Sequence, residues 1–239
     1  MFGENILKDK IVKPNANPAD SNTFLGDALV SEEIAMEIMR LLNEMYPESE
    51  CELQFIDIFQ LIISVILSAQ TTDRSVNAVT PALFSRYPTA CDLAGAEQMD
   101  VEDIIRVIGM YKTKSKNIIA TAKIICEQYN GEVPSTYDEL VKLPGVGRKT
   151  ANVVLSVGFG EQRIAVDTHV FRVSNRIGLV REKDVLETEK ALMDLLPEDT
   201  WSRSHHILIF HGRYCCKARR PECEKCDIAD YCKYPNKTI

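Results

Sequence analysis

Apolar positions recur every three to four residues along most of the chain, and no stretch alternates apolar and polar residues as a strand does. That period predicts helices. Ser31 opens the first as an N-cap, with Glu32 and Glu33 at its positive end and Ile34, Ile38, Leu41, Leu42 and Met45 as the apolar stripe; Pro47 stops it. Phe55 to Gln70 is apolar on most sides, and a span of 16 residues favours a buried helix over a strand. It ends in the polar Ser68-Ala69-Gln70-Thr71-Thr72-Asp73, where Asp73 is expected to cap a helix from Arg74 to Phe84. Further helices are predicted near 89–95, 100–108, 115–129, 137–143, 148–157, 184–196 and 200–213, with Gly109 to Lys114 as a connection. Another opens near Ile164, with Asp167 or Thr168 as its cap. Residues 1–30 hold Pro14, Pro18 and several Asn and Asp without a sustained period, and are expected to form a mobile leader. The predicted fold is all-α.

The joint at Leu143-Pro144-Gly145-Val146-Gly147-Arg148-Lys149-Thr150 stands out. Pro144 ends the helix before it, because its nitrogen has no hydrogen to donate. The glycines permit positive φ, so the chain can reverse in about four residues. A helical hairpin with a bare backbone tip results. The N–H groups of such a tip, with the start of the next helix, suit an anion such as a phosphate. Lys149 in the first turn is an unusual choice, since the helix dipole is already positive there. A Walker loop would need Gly where Arg148 stands, and a dinucleotide fingerprint would need a preceding strand and a third Gly where Thr150 stands. An ordinary helix–helix corner with one exposed Lys is the plain alternative.

Charge alters this picture only once it is mapped. The net charge is -7 over 239 residues, yet residues 1–60 hold 12 acids against 4 bases and residues 61–239 hold 23 against 24. Lys112, Lys114, Lys116 and Lys123 form one basic stretch. Arg203, Arg213, Lys217, Arg219 and Arg220 form another, with no acid from 201 to 220. Screening confines charge to about 10 Å, so such patches can hold phosphate despite the negative total. No apolar run of about 18 residues spans a membrane. The start of the chain has no basic-then-apolar signal peptide, and an intracellular protein is expected.

Cys51, Cys91 and Cys126 lie apart on apolar faces and are expected in the core. The other five of the eight cysteines crowd into 215–232, in the pattern Cys216-x6-Cys223-x2-Cys226-x5-Cys232 with Cys215 spare. Clustered thiols inside a cell argue for metal before disulfide. Structural zinc or an iron–sulfur cluster would satisfy four thiolates. Zinc sites favour two short knuckles, and only Cys223/Cys226 qualifies, so the uneven loop fits a cubane better. Spacing leaves the choice between Cys215 and Cys216 open.

Together these pieces resemble the endonuclease III family of helix-hairpin-helix DNA glycosylases. The likeness rests on Leu67-Ser68-Ala69-Gln70-Thr71-Thr72-Asp73, on Leu143 to Val154, on Val166-Asp167-Thr168-His169, and on His211-Gly212-Arg213-Tyr214 leading into the cysteines; it covers about residues 31–236. It implies two helical domains flanking a DNA-binding cleft. One is a six-helix domain over 51–161 with the hairpin; the other joins 31–50 to 162–239 and carries the cysteine loop. It also implies a [4Fe-4S] cluster on Cys216, Cys223, Cys226 and Cys232. The expected DNA-binding residues are Gln70, Met110, Lys112, Lys114, Gly145, Val146, Gly147, Arg148 and Arg220. The family often has Leu where Met110 stands, Lys where Arg220 stands, and a base where Glu222 stands.

The activity so implied is a bifunctional glycosylase and AP lyase of base excision repair, acting on damaged, expectedly oxidised, pyrimidines. The implied partner is double-stranded DNA with a damaged or abasic nucleotide. A monomer in the cytoplasm, associated with the nucleoid, is expected. A base in a duplex is out of reach, so the nucleotide is flipped out. Lys149 attacks the sugar C1′, forms a Schiff base, and β-elimination breaks the strand on the 3′ side. This needs a neutral amine although a free lysine has a pKa of about 10.4, and burial and the helix N-terminus are expected to help. Asp167 is assigned to the cationic transition state and to proton handling. Monofunctional mismatch-thymine or adenine glycosylases lack a lysine at position 149. A non-enzymatic iron–sulfur DNA-binding or redox-sensing protein would leave Lys149 and Asp167 idle.

Overall fold

The protein is described by a computed structural model over residues 29–238; the rest of the expected leader lies outside the described residues. These residues form twelve α-helices and no strand. In order they are α1 (Glu32–Met45), α2 (Ile58–Leu67), α3 (Asp73–Asn77), α4 (Thr80–Arg86), α5 (Ala90–Ala94) and α6 (Gln98–Ile105). Then come α7 (Tyr111–Gln128), α8 (Tyr137–Leu140), α9 (Arg148–Phe159), α10 (Thr168–Ile177), α11 (Val185–Leu195) and α12 (Trp201–Tyr214).

Local chemistry explains the boundaries. Ser31 caps α1, and Asp57 accepts from the Gln60 N–H at 2.7 Å, which starts α2 three residues inside its apolar run. The expected cap at Asp73 is corrected. Thr72 is the cap, accepting from the Ser75 N–H at 3.2 Å, and Asp73 is the first helical residue. The single helix expected from Arg74 to Phe84 divides into α3 and α4, because Pro81 has no N–H to bond back toward Asn77. Helix α7 starts at Tyr111, so most of the expected connection is its polar first turn, which carries no apolar period.

Two hydrophobic cores form. The first gathers α2 to α9 around Leu61, Ile62, Ile63 and Leu67 of α2, all fully buried. Each such side chain stabilises the fold by about 1.5–3 kcal/mol. Helix α2 packs on α9 and α7. The second core joins α1, α10 and α12 through Ile38, Leu42, Val170, Val173 and Leu208, and takes in Ile228 of the cysteine loop. The chain crosses between cores at 164–166, where Ile164 and Val166 enter the second core and Ala165 the first. Cys91 and Cys126 are not core thiols as expected. They form a disulfide between α5 and α7, and Cys91 is exposed.

Candidate DNA-binding and catalytic cleft

A cleft of about 1250 Å³ opens beside the crossing. The loop after α2 supplies Gln70, Thr72 and Asp73 to one wall, and Lys149, Asp167 and His169 line the other. Lys149 is the second residue of α9. Its expected burial is not found: it stands exposed, because the cleft is open to solvent. Asp167 is the N-cap of α10, settling the choice with Thr168. One oxygen, Oδ1, accepts from the N–H groups of His169 and Val170 at 2.8 and 2.9 Å. The other, Oδ2, has no hydrogen-bond partner among the described residues, so one carboxylate caps the helix and still presents an oxygen at the cleft.

The hairpin behind Lys149 is held from within. Gly145 has φ +80°, and a Cβ there would come within 3.0 Å of Ile66 Cγ2 and 3.1 Å of Asn117 Nδ2, so the turn needs glycine twice over. Thr121 Oγ1 donates to the Pro144 carbonyl at 2.7 Å. Val146 is buried and its N–H closes the turn on the Leu143 carbonyl at 3.0 Å, so it anchors the tip and has no donor left for an anion. The N–H groups of Gly145 and Gly147 are unpaired among the described residues, as are those in the first turn of α9, which no helix satisfies internally. Arg148 turns its guanidinium away, to Glu189 and the Tyr137 ring, and leaves its N–H to this donor set.

The other expected contacts divide. Gln70 and Met110 are both exposed and both left-handed, with φ 53° and 55°. Such backbone costs about 1–2 kcal/mol in residues other than glycine. Lys112 is exposed in the first turn of α7. Lys114 is corrected: it is 3% exposed, and its ammonium donates to Thr71 Oγ1 at 2.5 Å. Its side chain therefore ties α7 to the loop of Gln70 instead of facing phosphate, and burial lowers its pKa. Arg220 is exposed in the cysteine loop, with φ 66°, and does not line the cleft.

Glu52 was missed in the sequence, and Arg213, read there as part of a basic patch that could hold phosphate, is engaged by acids instead. Arg213 of α12 pairs with Asp73 at 2.8 Å and with Glu52, and the Tyr214 hydroxyl donates to Glu52 at 2.6 Å. This joins α12 to α3 and to the segment before α2. Lys149 lies near enough to act on the Asp73 carboxyl, whose pKa burial raises and the lysine cation opposes. No periodicity signals these contacts, since each links residues far apart in the chain.

All five clustered cysteines are free thiols around one small apolar cavity closed by Ile177, Pro221 and Ile228. His211, Cys215 and Cys226 bring their ligand atoms within 4.8 Å of one another, so the described residues hold a candidate metal group. Cys216 Sγ faces the Arg176 guanidinium at 3.8 Å, and Cys232 Sγ accepts from the Tyr234 N–H at 3.5 Å. Sulfurs facing donors in an apolar pocket fit a thiolate-bound centre, whose charge such donors offset. Two arginines of α10 tie the loop down. Arg172 donates to the carbonyls of Gly212 and Cys216 at 2.8 and 3.1 Å, and Arg176 to those of Lys217 and Ala218 at 2.8 and 2.9 Å.

The family model of the HhH-GPD superfamily base excision DNA repair proteins matches residues 63–198. The chain is 52% identical over 193 residues to endonuclease III of Bacillus subtilis, covering 80% of this chain and 88% of that protein. It is 47% identical over 205 residues to endonuclease III of Escherichia coli K12, covering 84% and 96%. The chain belongs to the endonuclease III family. A solved structure of a trapped covalent intermediate between an endonuclease III and DNA is similar, with TM-score 0.82, 47% identity, and 85% of this chain and 96% of that one covered. In this member of the endonuclease III family the cleft therefore brings together Gln70, Lys149 and Asp167, while Arg220 stands apart.

Proposed function

We propose that this chain is a DNA glycosylase with AP lyase activity, which excises damaged, oxidised pyrimidines from double-stranded DNA and cleaves the strand 3′ to the abasic site. The observation that carries the reading is that Lys149 and an oxygen of Asp167 reach one open cleft from separate helices, next to a hairpin tip with unpaired N–H donors. Segments 51–161 and 31–50 with 162–239 act as two domains that grip the duplex between them, and the protein works as a monomer on the chromosome. Among the described residues no helix is long and apolar enough to cross a membrane.

In the proposed reaction the hairpin N–H groups of Gly145, Gly147 and Arg148 hold a phosphate beside the lesion without reading a base. Lys112 adds charge along the backbone, and Arg220 does so from the cysteine loop. Gln70 enters the duplex where the flipped nucleotide was and Met110 wedges the opposite strand. Lys149 Nζ forms a bond to C1′ as the bond from C1′ to the base breaks, and Asp167 stabilises the positive charge on the sugar. Loss of a proton from the amine and opening of the sugar ring give the Schiff base. Removal of a C2′ proton then breaks the C3′–O bond. Cys216, Cys223, Cys226 and Cys232 would hold a [4Fe-4S] cluster, which would cross-link the two ends of the C-terminal loop, itself tied to α10 by Arg172 and Arg176.

Borohydride reduces a Schiff base, so lesion-bearing duplex should be trapped as a covalent adduct on Lys149. Lys149→Gln should lose both adduct and nicking and keep DNA binding, because the phosphate contacts come from backbone. An adduct of undiminished yield that maps to another amine, such as Lys142, would remove Lys149 from the chemistry.

A further inference from the structure

Helix α7 braces the cleft along its length. Met110 precedes its first turn, Lys114 holds Thr71, Asn117 packs on Gly145 and Thr121 holds Pro144. Near its other end Cys126 is bonded to Cys91 of α5, 35 residues earlier, with the Cα atoms 5.0 Å apart. Neither sulfur belongs to the C-terminal cysteine group. The two differ in access: Cys91 is exposed, and Cys126 is half-buried. The two helices also meet through apolar side chains, among them Ala90 and Leu93 of α5 and Ala122 and Ile125 of α7, so they stay paired without the bond.

We propose that Cys91 and Cys126 form a reversible dithiol–disulfide site that takes a low-molecular-weight disulfide as oxidant, and whose state sets how firmly α5 is fastened to α7. Cys91, the accessible sulfur, enters first. Its thiolate attacks one sulfur of the small disulfide; that S–S bond breaks, and the departing thiolate takes up the proton Cys91 gave away. The Cys126 thiolate then attacks the Cys91 sulfur and displaces the second small thiolate, which is protonated in turn. Two protein thiols are oxidised and one small disulfide is reduced to two thiols. A small dithiol drives the same steps backward. Closing a loop of this length restricts the unfolded chain, so the oxidised form resists unfolding more strongly. The cleft side chains are untouched, so the site acts on the lifetime of the fold and not on the bond-breaking step.

The test uses the full chain as purified. It is reduced with dithiothreitol, freed of it, divided, and one half is incubated with oxidised glutathione. Both halves are then denatured and alkylated, and the peptides are weighed. The expected result is alkylation of Cys91 and Cys126 in the reduced half, a Cys91–Cys126 cross-linked peptide in the other, and a melting temperature roughly 5–10 °C higher after oxidation. Cys91→Ala should abolish the cross-link and the difference in melting together. Cys126→Ser should leave glutathione attached at Cys91, since no resolving thiol remains. Visible absorption followed in parallel scores any damage to the C-terminal cysteines separately. Equal alkylation of both residues in the two halves, a bond that survives dithiothreitol in the folded protein, or a melting difference that persists in Cys91→Ala would each overturn the proposal.

Discussion

Arg148 grips Glu189 in a two-pronged pair, Nε to Oε2 at 2.9 Å and Nη2 to Oε1 at 2.6 Å, across 41 residues of chain. The partners are unequal: the Glu189 side chain is 7% exposed and that of Arg148 46%. Asn152 also donates to Glu189, at 3.2 Å. The pair thus fastens the first turn of α9, where Lys149 stands, to α11.

Unequal burial predicts unequal mutants. Arg148→Ala leaves a buried carboxylate with only Asn152 beside it and should cost about 3 kcal/mol or more. Glu189→Gln keeps a hydrogen-bonding group and leaves Arg148 free to reach water, so it should cost about 1 kcal/mol. Urea unfolding of both variants compares them; equal losses would mean that burial of Glu189 does not decide the cost.

Asp167 serves a helix and a cleft with different oxygens, and two substitutions separate these roles. Asp167→Asn keeps a cap acceptor, so stability should stay within about 1 kcal/mol while base release slows roughly 10²–10³-fold. Cleavage at a preformed abasic site should survive in part, since no base has to leave. Asp167→Ala should lose the cap as well and unfold earlier. Single-turnover assays on lesion and abasic duplexes, beside thermal melts, measure each.

Gln70 lies two residues beyond Ser68, the C-cap of α2, and does not cap that helix. Gln70→Ala should slow excision from a duplex roughly ten- to a hundredfold and leave cleavage of a preformed abasic site nearly unchanged. Similar losses on both substrates would remove it from the flipping step.

Cys226 stands in the metal group and on the cavity wall, and Cys226→Ser should yield poorly folded, colourless protein. Cys215→Ser and Cys216→Ser form the sharper pair. Cys215 stands in the same metal group, but the family pattern takes Cys216 as the ligand, so loss of Cys215 should leave a yellow-brown iron–sulfur colour, while loss of Cys216 should bleach it. Iron analysis of the two variants decides between the neighbours, and stoichiometric zinc in place of iron would replace the cluster altogether.

Acid should loosen α12. Burial holds the His206 imidazole down at about 4 against the usual 6.5, and pushes that of buried His205 well below it. The unfolded chain therefore binds protons that the folded chain refuses, and stability should fall as pH drops from about 6.5 toward 4. Urea midpoints should trace that fall, and His206→Gln should make it shallower, with the share of His205 remaining.

Much of this architecture was legible because helix period and cap chemistry are local. Ser31 and the stripe from Ile34 to Met45 announced α1 correctly, and the turn from Pro144 to Gly147 announced the hairpin. Where two neighbours could each cap, at Thr72 and Asp73, the choice turned on a tertiary pull: Arg213 draws the Asp73 carboxylate into the cleft and leaves the cap to Thr72. Lys114 read as a DNA-contacting cation, because a lysine in a basic run gives no sign that a threonine 43 residues away will receive it. The cysteine pair was hidden for the same reason: Cys91 and Cys126 fall on separate helices, and only the packing of α5 on α7 brings them together.

The bond from Lys114 to Thr71 has a mechanical consequence. Lys114 lies one helical turn past Met110, and Thr71 adjoins Gln70, so one hydrogen bond ties together the backbone beside the two left-handed residues. If Gln70 and Met110 enter the duplex as proposed, that tie limits how far they can part, and the duplex has to yield to them. Under the proposed flipping role, the ease with which DNA unstacks at a damaged step, more than any reshaping of the protein, would set which lesions enter first.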